Sequence, residues 1–339
     1  MDEKILSWDY ARRFGLEIEL NALDGRDFVA NPLSHGELPN GISYIGNLVK
    51  EITKKPVYVD KWHYTHNNEI WVIKPDRSCG IEICTPAMKG WYGLNQVCKV
   101  IDGFLFDPLA IADKRCSLHV HVEVADCSTK ELISILSWWI KCEPVFLDAM
   151  LEHRKVNRFC QSLGTTNMFI AENYEPSSLF DDLAVHKYFT LNTYHMNKGH
   201  RATIEFRTLG EEGCQDSYTT RNWIRLLIHF VEMAKKKLLP RKYKVDNPMT
   251  GLLWLDLLDV MKVLGFFGNY RLSKGMEELR NWFIYRIKYN VETNRDGLWS
   301  NEFRKITRLQ LGQVLDKLKL TDDDIKPNPE SMYCEEYRN

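Results

Sequence analysis

The chain has 339 residues, 44% of them hydrophobic and 27% charged, with a formal net charge of −1. That is the composition of a globular chain, long enough for one large domain or two smaller ones. The balanced charge gives no ground for wholesale binding to nucleic acid or a membrane surface, and no apolar run approaches the roughly 20 residues of a membrane span.

Nine cysteines are scattered along the sequence with no close Cys-x-x-Cys pair. Reduced, mostly buried thiols are the simplest reading, and a thiolate zinc site is not expected. The opening residues Met1 to Tyr10 contain no long apolar segment and do not read as a secretory signal. The default expectation is the cytoplasm, either of a cell or of a host carrying a viral gene.

Residues 13 to 21 alternate: Phe14, Leu16, Ile18 and Leu20 point one way, and Gly15, Glu17, Glu19 and Asn21 the other. This predicts a strand with one apolar and one acidic face, its two carboxylates about 7 Å apart along the strand. A Gly-, Asn- and Pro-rich loop over 22–40 leads to a helix over about 42–54, on the spacing of Ile42, Ile45, Leu48, Val49 and Ile52. Segments 57–64 and 69–74 read as two strands around an Asn67-Asn68 turn, with Trp62, His63, His66 and Trp71 as packing and turn residues. Asp76 to Ser78 suits a tight turn. A short strand follows, on which Glu82 is the one charge of its face, and Pro86 ends it. A helix over about 91–106 carries the stripe Leu94, Val97, Cys98, Ile101, Leu105 and Phe106.

Residues 116 to 124 alternate without a break. Leu118, Val120, Val122 and Val124 oppose Ser117, His119, His121 and Glu123. Ser128-Thr-Lys-Glu131 is a capping box. The helix it opens is expected to kink or break at Pro144 and to continue to Glu152-His153-Arg154. The irregular stretch 157–186 is long for a loop in a compact chain. Residues 188–195 read as a strand carrying Asn192, and a Lys198-Gly199 turn leads to a strand over 202–208. There Ile204 and Phe206 oppose Thr203, Glu205 and Arg207. A helix over about 216–238 starts at Asp216 and ends in three lysines that complement its dipole. From 240 the chain reads as helical, with stripes at Trp254–Leu264 and Trp282–Tyr289. A last helix is expected at Leu309–Leu320, with a poorly ordered tail after Lys326. The domain reading is a catalytic domain over 1–238 and a helical region over 239–339.

Placed side by side, these strands share one division of labour. Glu17, Glu19, Glu82, His119, His121, Glu123, Glu205 and Arg207 lie on polar faces whose reverse sides are apolar. The expected architecture is α+β: an open, mainly antiparallel sheet with helices on one face and a charged concave face on the other. Two like charges 4 Å apart cost about 4 kcal/mol at an effective dielectric of about 20. Such carboxylates must take up protons or gather round a cation. Carboxylates with imidazoles and without thiolates suit Mg²⁺ or Mn²⁺, and Arg207 could neutralise a transferring phosphoryl group. From the residues alone, the site reads as metal-assisted phosphoryl transfer or hydrolysis. No P-loop, Gly-x-Gly-x-x-Gly or His-Glu-x-x-His segment is present.

The ordered set Phe-Gly-Leu-Glu17-Ile-Glu19, Asp76-Arg-Ser-x-Gly-Ile-Glu82, Leu-His119-Val-His121-Val, Arg154-x-x-x-Arg158-Phe-Cys, Leu191-Asn192 and Thr-Ile-Glu205-Phe-Arg207 resembles the amidoligases, over about residues 12–230. These belong to the carboxylate–amine ligase superfamily that includes glutamine synthetase and glutamate–cysteine ligase. The sequence departs from the family pattern at Arg77, where Gly is commoner. The resemblance implies an ATP-dependent ligase that forms an amide through an acyl phosphate, with ATP and Mg²⁺ (or Mn²⁺) bound on the sheet and small-molecule or peptide carboxylate and amine substrates. It implies that Glu17, Glu205 and one of His119 and His121 hold a metal near the ATP phosphates, and that Glu19 and Glu82 hold one near the substrate carboxylate. Arg207, Glu205 and Glu82 become the catalytic candidates, with Arg154 and Asn192 as further nucleotide or substrate contacts. Two alternatives use the same face: a metal-dependent hydrolase, and a non-catalytic binding or assembly protein. The presence of both Glu-x-Glu and Glu-x-Arg argues against the second.

Overall fold

The computed structural model describes residues 5–8, 11–21, 40–60, 69–76, 78–105, 107, 110–155, 157–163, 187–197, 202–236, 255–268, 270–293 and 301–327. In chain order the strands are β1 (Ile5–Leu6), β2 (Arg13–Asn21), β3 (Val57–Val59), β4 (Trp71–Asp76), β5 (Gly80–Cys84), β6 (Met88–Lys89), β7 (Ser117–Glu123), β8 (Leu191–Asn192), β9 (Thr203–Gly210) and β10 (Arg271–Leu272). The fold is α+β, and its described residues divide between two compact units that interleave along the chain. One takes those within Tyr10–Glu123 and Glu205–Ile224; the other takes those within Met1–Asp9, Val124–Ile204 and Arg225–Met332.

The first unit is built on a sheet with the order β3-β4-β5-β2-β7-β9, β6 pairing with one end of β2. Strands β4, β5, β2 and β7 pair antiparallel, as alternation with short connections predicts. The pair β3–β4 is parallel, so the sheet is mixed. These two strands are therefore not the hairpin that the sequence suggests. Trp62, His63, His66 and the Asn67-Asn68 turn lie outside the described residues.

Register sorts the side chains. Ile18 stands opposite Ile83 on one side and Leu118 on the other. Ile83 is in turn opposite Ile73. All four are fully buried. This apolar face is covered by helices. Helix Asn40–Thr53 presses Gly46 so close to β3 and β4 that an added Cβ would fall 2.7 Å from Val59 Cγ2. The short helix Glu212–Gln215 brings Gly213 as close to Leu118, where a Cβ would fall 2.9 Å from its Cβ. Helix Gly90–Leu105 packs its buried Gly93 against Met88 and Phe14. Because the period of a strand is two, fixing Ile18, Ile83 and Leu118 against these helices fixes Glu17, Glu19, Glu82 and His119 on the reverse face.

The second unit is mainly helical and carries the parallel pair β1–β10. The capping box at Ser128 and Glu131 forms as expected and opens helix Thr129–Asp148. That helix is not broken at Pro144. Phe146, two residues on, packs in tilted and edge-on geometry against Trp139, Phe230 and Phe283 at 4.9–5.5 Å between centroids, and this packing outweighs the missing backbone donor. Glu152–Lys155 is a separate short helix. Only Leu191–Asn192 of the expected 188–195 strand is extended. The Asn192 side chain accepts from the Tyr194 N–H at 2.8 Å, and a short helix, Tyr194–Asn197, begins there. Helix Ser217–Lys235 starts one residue after Asp216, which accepts from Tyr218. The remaining helices are Leu257–Val263, Lys274–Thr293, Asn301–Leu318 and Asp322–Ile325. The expected run to Leu320 ends instead at Leu318, where Lys319 takes a left-handed conformation (φ +54°) and Leu320 N–H returns to the Leu315 carbonyl. The cysteines of the described residues are free thiols, and no helix among those residues is long and apolar enough to cross a membrane.

Ile18→Ala removes apolar volume at the centre of the sheet, directly behind Glu17 and Glu19. It is expected to destabilise the first unit by about 2–5 kcal/mol, read as a lowered denaturant midpoint. An unchanged midpoint would contradict this packing.

Candidate functional site

Four strands of the first unit converge on one polar cluster. β2 supplies Glu17 and Glu19, and β7 supplies Ser117, His119 and His121. β5 supplies Glu82 and Cys84, and β9 supplies Glu205 and Arg207. Register places Glu17 opposite His119, and Glu19 opposite Glu82. The expected open acidic face is in fact largely buried: Glu19, Glu82, His119, His121 and Glu205 are all buried side chains. Buried charges must be paired or neutralised, and each of these is handled differently.

Glu17 faces two imidazoles, one of them at hydrogen-bond distance. His119 Nδ1 lies 3.0 Å from Glu17 Oε2, and His121 Nε2 lies 3.4 Å from Glu17 Oε1. Burial pushes the Glu17 pKa up, but the two histidines outweigh it and hold the carboxyl well below its usual range. Burial, then the nearby Arg207 charge, pushes the His119 pKa down, so His119 is neutral and carries one ring proton. Placing that proton on Nδ1, toward Glu17, leaves Nε2 to accept from the Ser117 hydroxyl at 2.8 Å. Both ring nitrogens are thereby engaged.

Glu19 is neutralised by protonation. Burial, then the facing Glu82, pushes its pKa up to about 8. Its Oε2 sits 2.8 Å from both the backbone nitrogen and the hydroxyl of Ser117. Glu205 is neutralised by Arg207, which donates to it through Nη1. Burial works against the guanidinium charge, and Glu205, Glu17 and Glu19 more than restore it. Glu82 is neutralised by a residue that sequence reasoning passed over. Lys74 on β4 stands directly opposite it in register, with Nζ 2.6 Å from Glu82 Oε1. Cys84 Sγ donates to the same oxygen at 3.2 Å.

Two groups of ligand atoms lie within 4.8 Å of one another: Glu17, His121 and Glu205, and separately Glu17, Glu82 and Cys84. The first is a set of oxygen and imidazole donors that fits Mg²⁺ or Mn²⁺. The cluster thus brings together Glu17, Glu19, Glu82, His119, His121, Glu205 and Arg207. Glu123 stands at the end of β7 and contributes its backbone carbonyl to Arg12. Arg154 and Asn192 belong to the second unit, where both are buried. Asp76 accepts from the Ser78 N–H at 2.7 Å, making the expected turn; Arg77 lies outside the described residues. Ser117 and Lys74 were the missed members. Ser117 shares the polar face of β7, and Lys74 is the charge that ends the apolar run Trp71-Val72-Ile73.

A carboxyl whose pKa is higher folded than unfolded binds its proton more tightly in the native state. Its contribution to stability is complete below the unfolded value and is lost as pH rises through the folded one. In metal-free protein the Glu19 contribution is therefore expected to be lost between pH 4.5 and about 8, and Glu19→Gln to remove that part of the slope. Thermal unfolding across this window checks both; the same slope in Glu19→Gln and the wild type would contradict the assignment.

A family model described as "Putative amidoligase enzyme" matches residues 10–231, a span that contains every residue of the cluster. No curated protein gives a significant sequence match. Among solved structures, a bifunctional glutathione synthetase from Pasteurella multocida aligns at a TM-score of 0.37 and 10% identity, over 93% of this chain and 50% of that one. The chain thus spans about half the length of that protein, and a likeness at this level carries no weight for fold or chemistry. The family match covers more than half of the sequence, and the chain belongs to the amidoligase family.

Proposed function

We propose that the protein is an ATP-dependent carboxylate–amine ligase that forms an amide through an acyl phosphate. The observation that carries this reading is the convergence of Glu17, His121 and Glu205 within 4.8 Å beside the Glu205–Arg207 pair. Membership of the amidoligase family supports ligase chemistry in general.

Glu17, His121 and Glu205 would hold a divalent cation, Mg²⁺ or Mn²⁺. Such an ion, when bound, neutralises phosphate oxygens and draws charge from a transferring phosphoryl group. His121 is preferred to His119 because the Ser117 hydroxyl and Glu17 take up both ring nitrogens of His119. His119 then acts by orienting Glu17, as outer partners of metal ligands commonly do. Arg207 is placed beside Glu205 to balance charge on the phosphoryl oxygens as the bond to ADP breaks.

The reaction balances without a redox partner. A substrate carboxylate oxygen bonds to the γ-phosphorus of ATP as the bond to the ADP oxygen breaks. The amine nitrogen then bonds to the acyl carbon, phosphate leaves with the electron pair of the C–O bond, and the nitrogen loses a proton. Burial of the cluster favours this order, because an acyl phosphate must be shielded from water. Arg154 and Asn192 remain proposed contacts for nucleotide or substrate on the strength of the resemblance alone.

A screen of carboxylate and amine pairs with ATP and Mg²⁺, scored for ADP release, is expected to find turnover that requires both substrates and yields a new amide by mass spectrometry. ADP release without an amide would identify water as the acceptor and overturn the ligase reading. Absence of ATP binding by calorimetry with Mg²⁺ or Mn²⁺ would overturn it as well. Glu205→Gln is expected to abolish turnover with unchanged circular dichroism, and Arg207→Met to lower kcat by about 10²–10³-fold.

A further inference from the structure

The second group of potential ligand atoms, Glu17, Glu82 and Cys84, differs from the first in one respect. A cation is already present beside it. Lys74 Nζ sits 2.6 Å from Glu82 Oε1, and the pair is buried, at 3% and 7% side-chain exposure. The contact is set by the backbone: Lys74 and Glu82 are directly paired across β4 and β5, two residues along from the Val72–Cys84 pairing. Such cross-strand partners are held by register and are not brought together by chance rotamers. Among the described residues, Glu82 is the ion-pair partner of Lys74.

The ammonium adjoins the group: Glu82 Oε1 takes both the Lys74 ion pair at 2.6 Å and the Cys84 Sγ–H at 3.2 Å, and the ligand atoms of Glu17, Glu82 and Cys84 lie within 4.8 Å of one another. A second cation of double charge in that group would face the ammonium at short range in a poorly solvated setting, where like charges repel by several kcal/mol. The Arg207–Glu205 pair is arranged differently. Its partners lie two residues apart on one strand, and the arginine side chain keeps 12% exposure.

We propose that Lys74 is a built-in cation, and that its ammonium takes the place of a metal ion at the Glu17–Glu82–Cys84 group. Glu82 is then the counter-ion of a lysine at this group, where the resemblance implies a metal ligand. Exchangeable metal binding is confined to the Glu17–His121–Glu205 group, and Cys84 stays a thiol that donates to Glu82 Oε1 at 3.2 Å. The inference starts from the metal-site part of the function proposed above, but its experiment has a separate readout.

The experiment is Co²⁺ and Mn²⁺ titration of purified wild-type, Lys74→Met, Lys74→Arg, Cys84→Ser and Lys74→Met/Cys84→Ser proteins, with bound metal counted by calorimetry. Thiolate coordination is read from the Co²⁺–sulfur charge-transfer absorption. Lys74→Met removes the charge, keeps most of the stem volume, and opens a group that includes a soft sulfur donor. It is expected to bind one more Co²⁺ per chain than the wild type and to gain the charge-transfer band. The double variant is expected to lose that band. Lys74→Arg and Cys84→Ser are expected to keep the wild-type count. A charge-transfer band in the wild type, or a folded Lys74→Met with the wild-type count and no band, would overturn the proposal. Should Lys74→Met not fold, the Cys84→Ser count decides: a loss of one ion relative to the wild type overturns the proposal, and an unchanged count upholds it. A wild type that binds no divalent ion would overturn the metal-dependent function instead, while a gain in Lys74→Met would still uphold the role of Lys74.

Discussion

Glu17, Glu19, Glu82 and Glu205 lie on one face of one sheet with little access to water, and the rest of the site answers that constraint. Four like charges so placed would repel by an amount comparable with the whole stability of a domain. The chain meets this in three ways. Glu82 and Glu205 receive cations, Lys74 and Arg207. Glu17 receives two imidazoles. Glu19 has only a longer contact to His119, at 3.7 Å, and is pushed toward its neutral form by burial and the facing Glu82. The three solutions differ in how readily they can change. A register-locked lysine is fixed, an imidazole contact can be rearranged, and a proton can be displaced by any stronger cation. The site therefore combines permanent and exchangeable positive charge on one surface.

The fixed part depends on the opposite face of the sheet. Glu17 can meet His119 only while Ile18 meets Leu118, because neighbours along a strand alternate between faces. The apolar contacts on that side are tight. Gly46 and Gly213 bring helices to within less than a side chain's thickness of Val59 and Leu118. A shift of one residue in β2 would expose Ile18 and bury Glu17 against a helix, so the hydrophobic layer specifies the electrostatic layer. Most of the free energy that assembles the cluster is supplied by residues that never touch it.

Much of this was legible in the sequence, and unevenly so. Glu17, Glu19, His119, His121, Glu205 and Arg207 announce themselves by alternation, since a period-two pattern reports which face a residue takes. It does not report which strand lies alongside. That is why alternation does not separate His119 from His121, whose different partners depend on which strands flank β7, and why it does not single out Lys74. Its partner is four residues beyond a turn, and only the β4–β5 register names it. The parallel β3–β4 pair was illegible for a related reason: two short apolar segments with a turn signal between them look like a hairpin, whichever way they pair. In the second unit, local rules predicted the Ser128 capping box and failed at Pro144 and Asn192. Aromatic packing overrode the first expectation, and a side-chain cap overrode the second.

Lys74 and Arg207 carry the same charge but are suited to different work. An ammonium is a compact point charge with a flexible stem, and once desolvated against Glu82 it has little reason to leave. A guanidinium is planar, with donors arranged to match carboxylate and phosphate oxygens two at a time. Arg207 stands on β9 and keeps part of its surface exposed, whereas Lys74 on β4 is almost wholly enclosed. Exchanging the two would put a strongly hydrated point charge beside Glu205 and a planar fork of donors beside Glu82. The two cations stand on different strands of the sheet, Lys74 on β4 and Arg207 on β9, and differ in how completely each is enclosed.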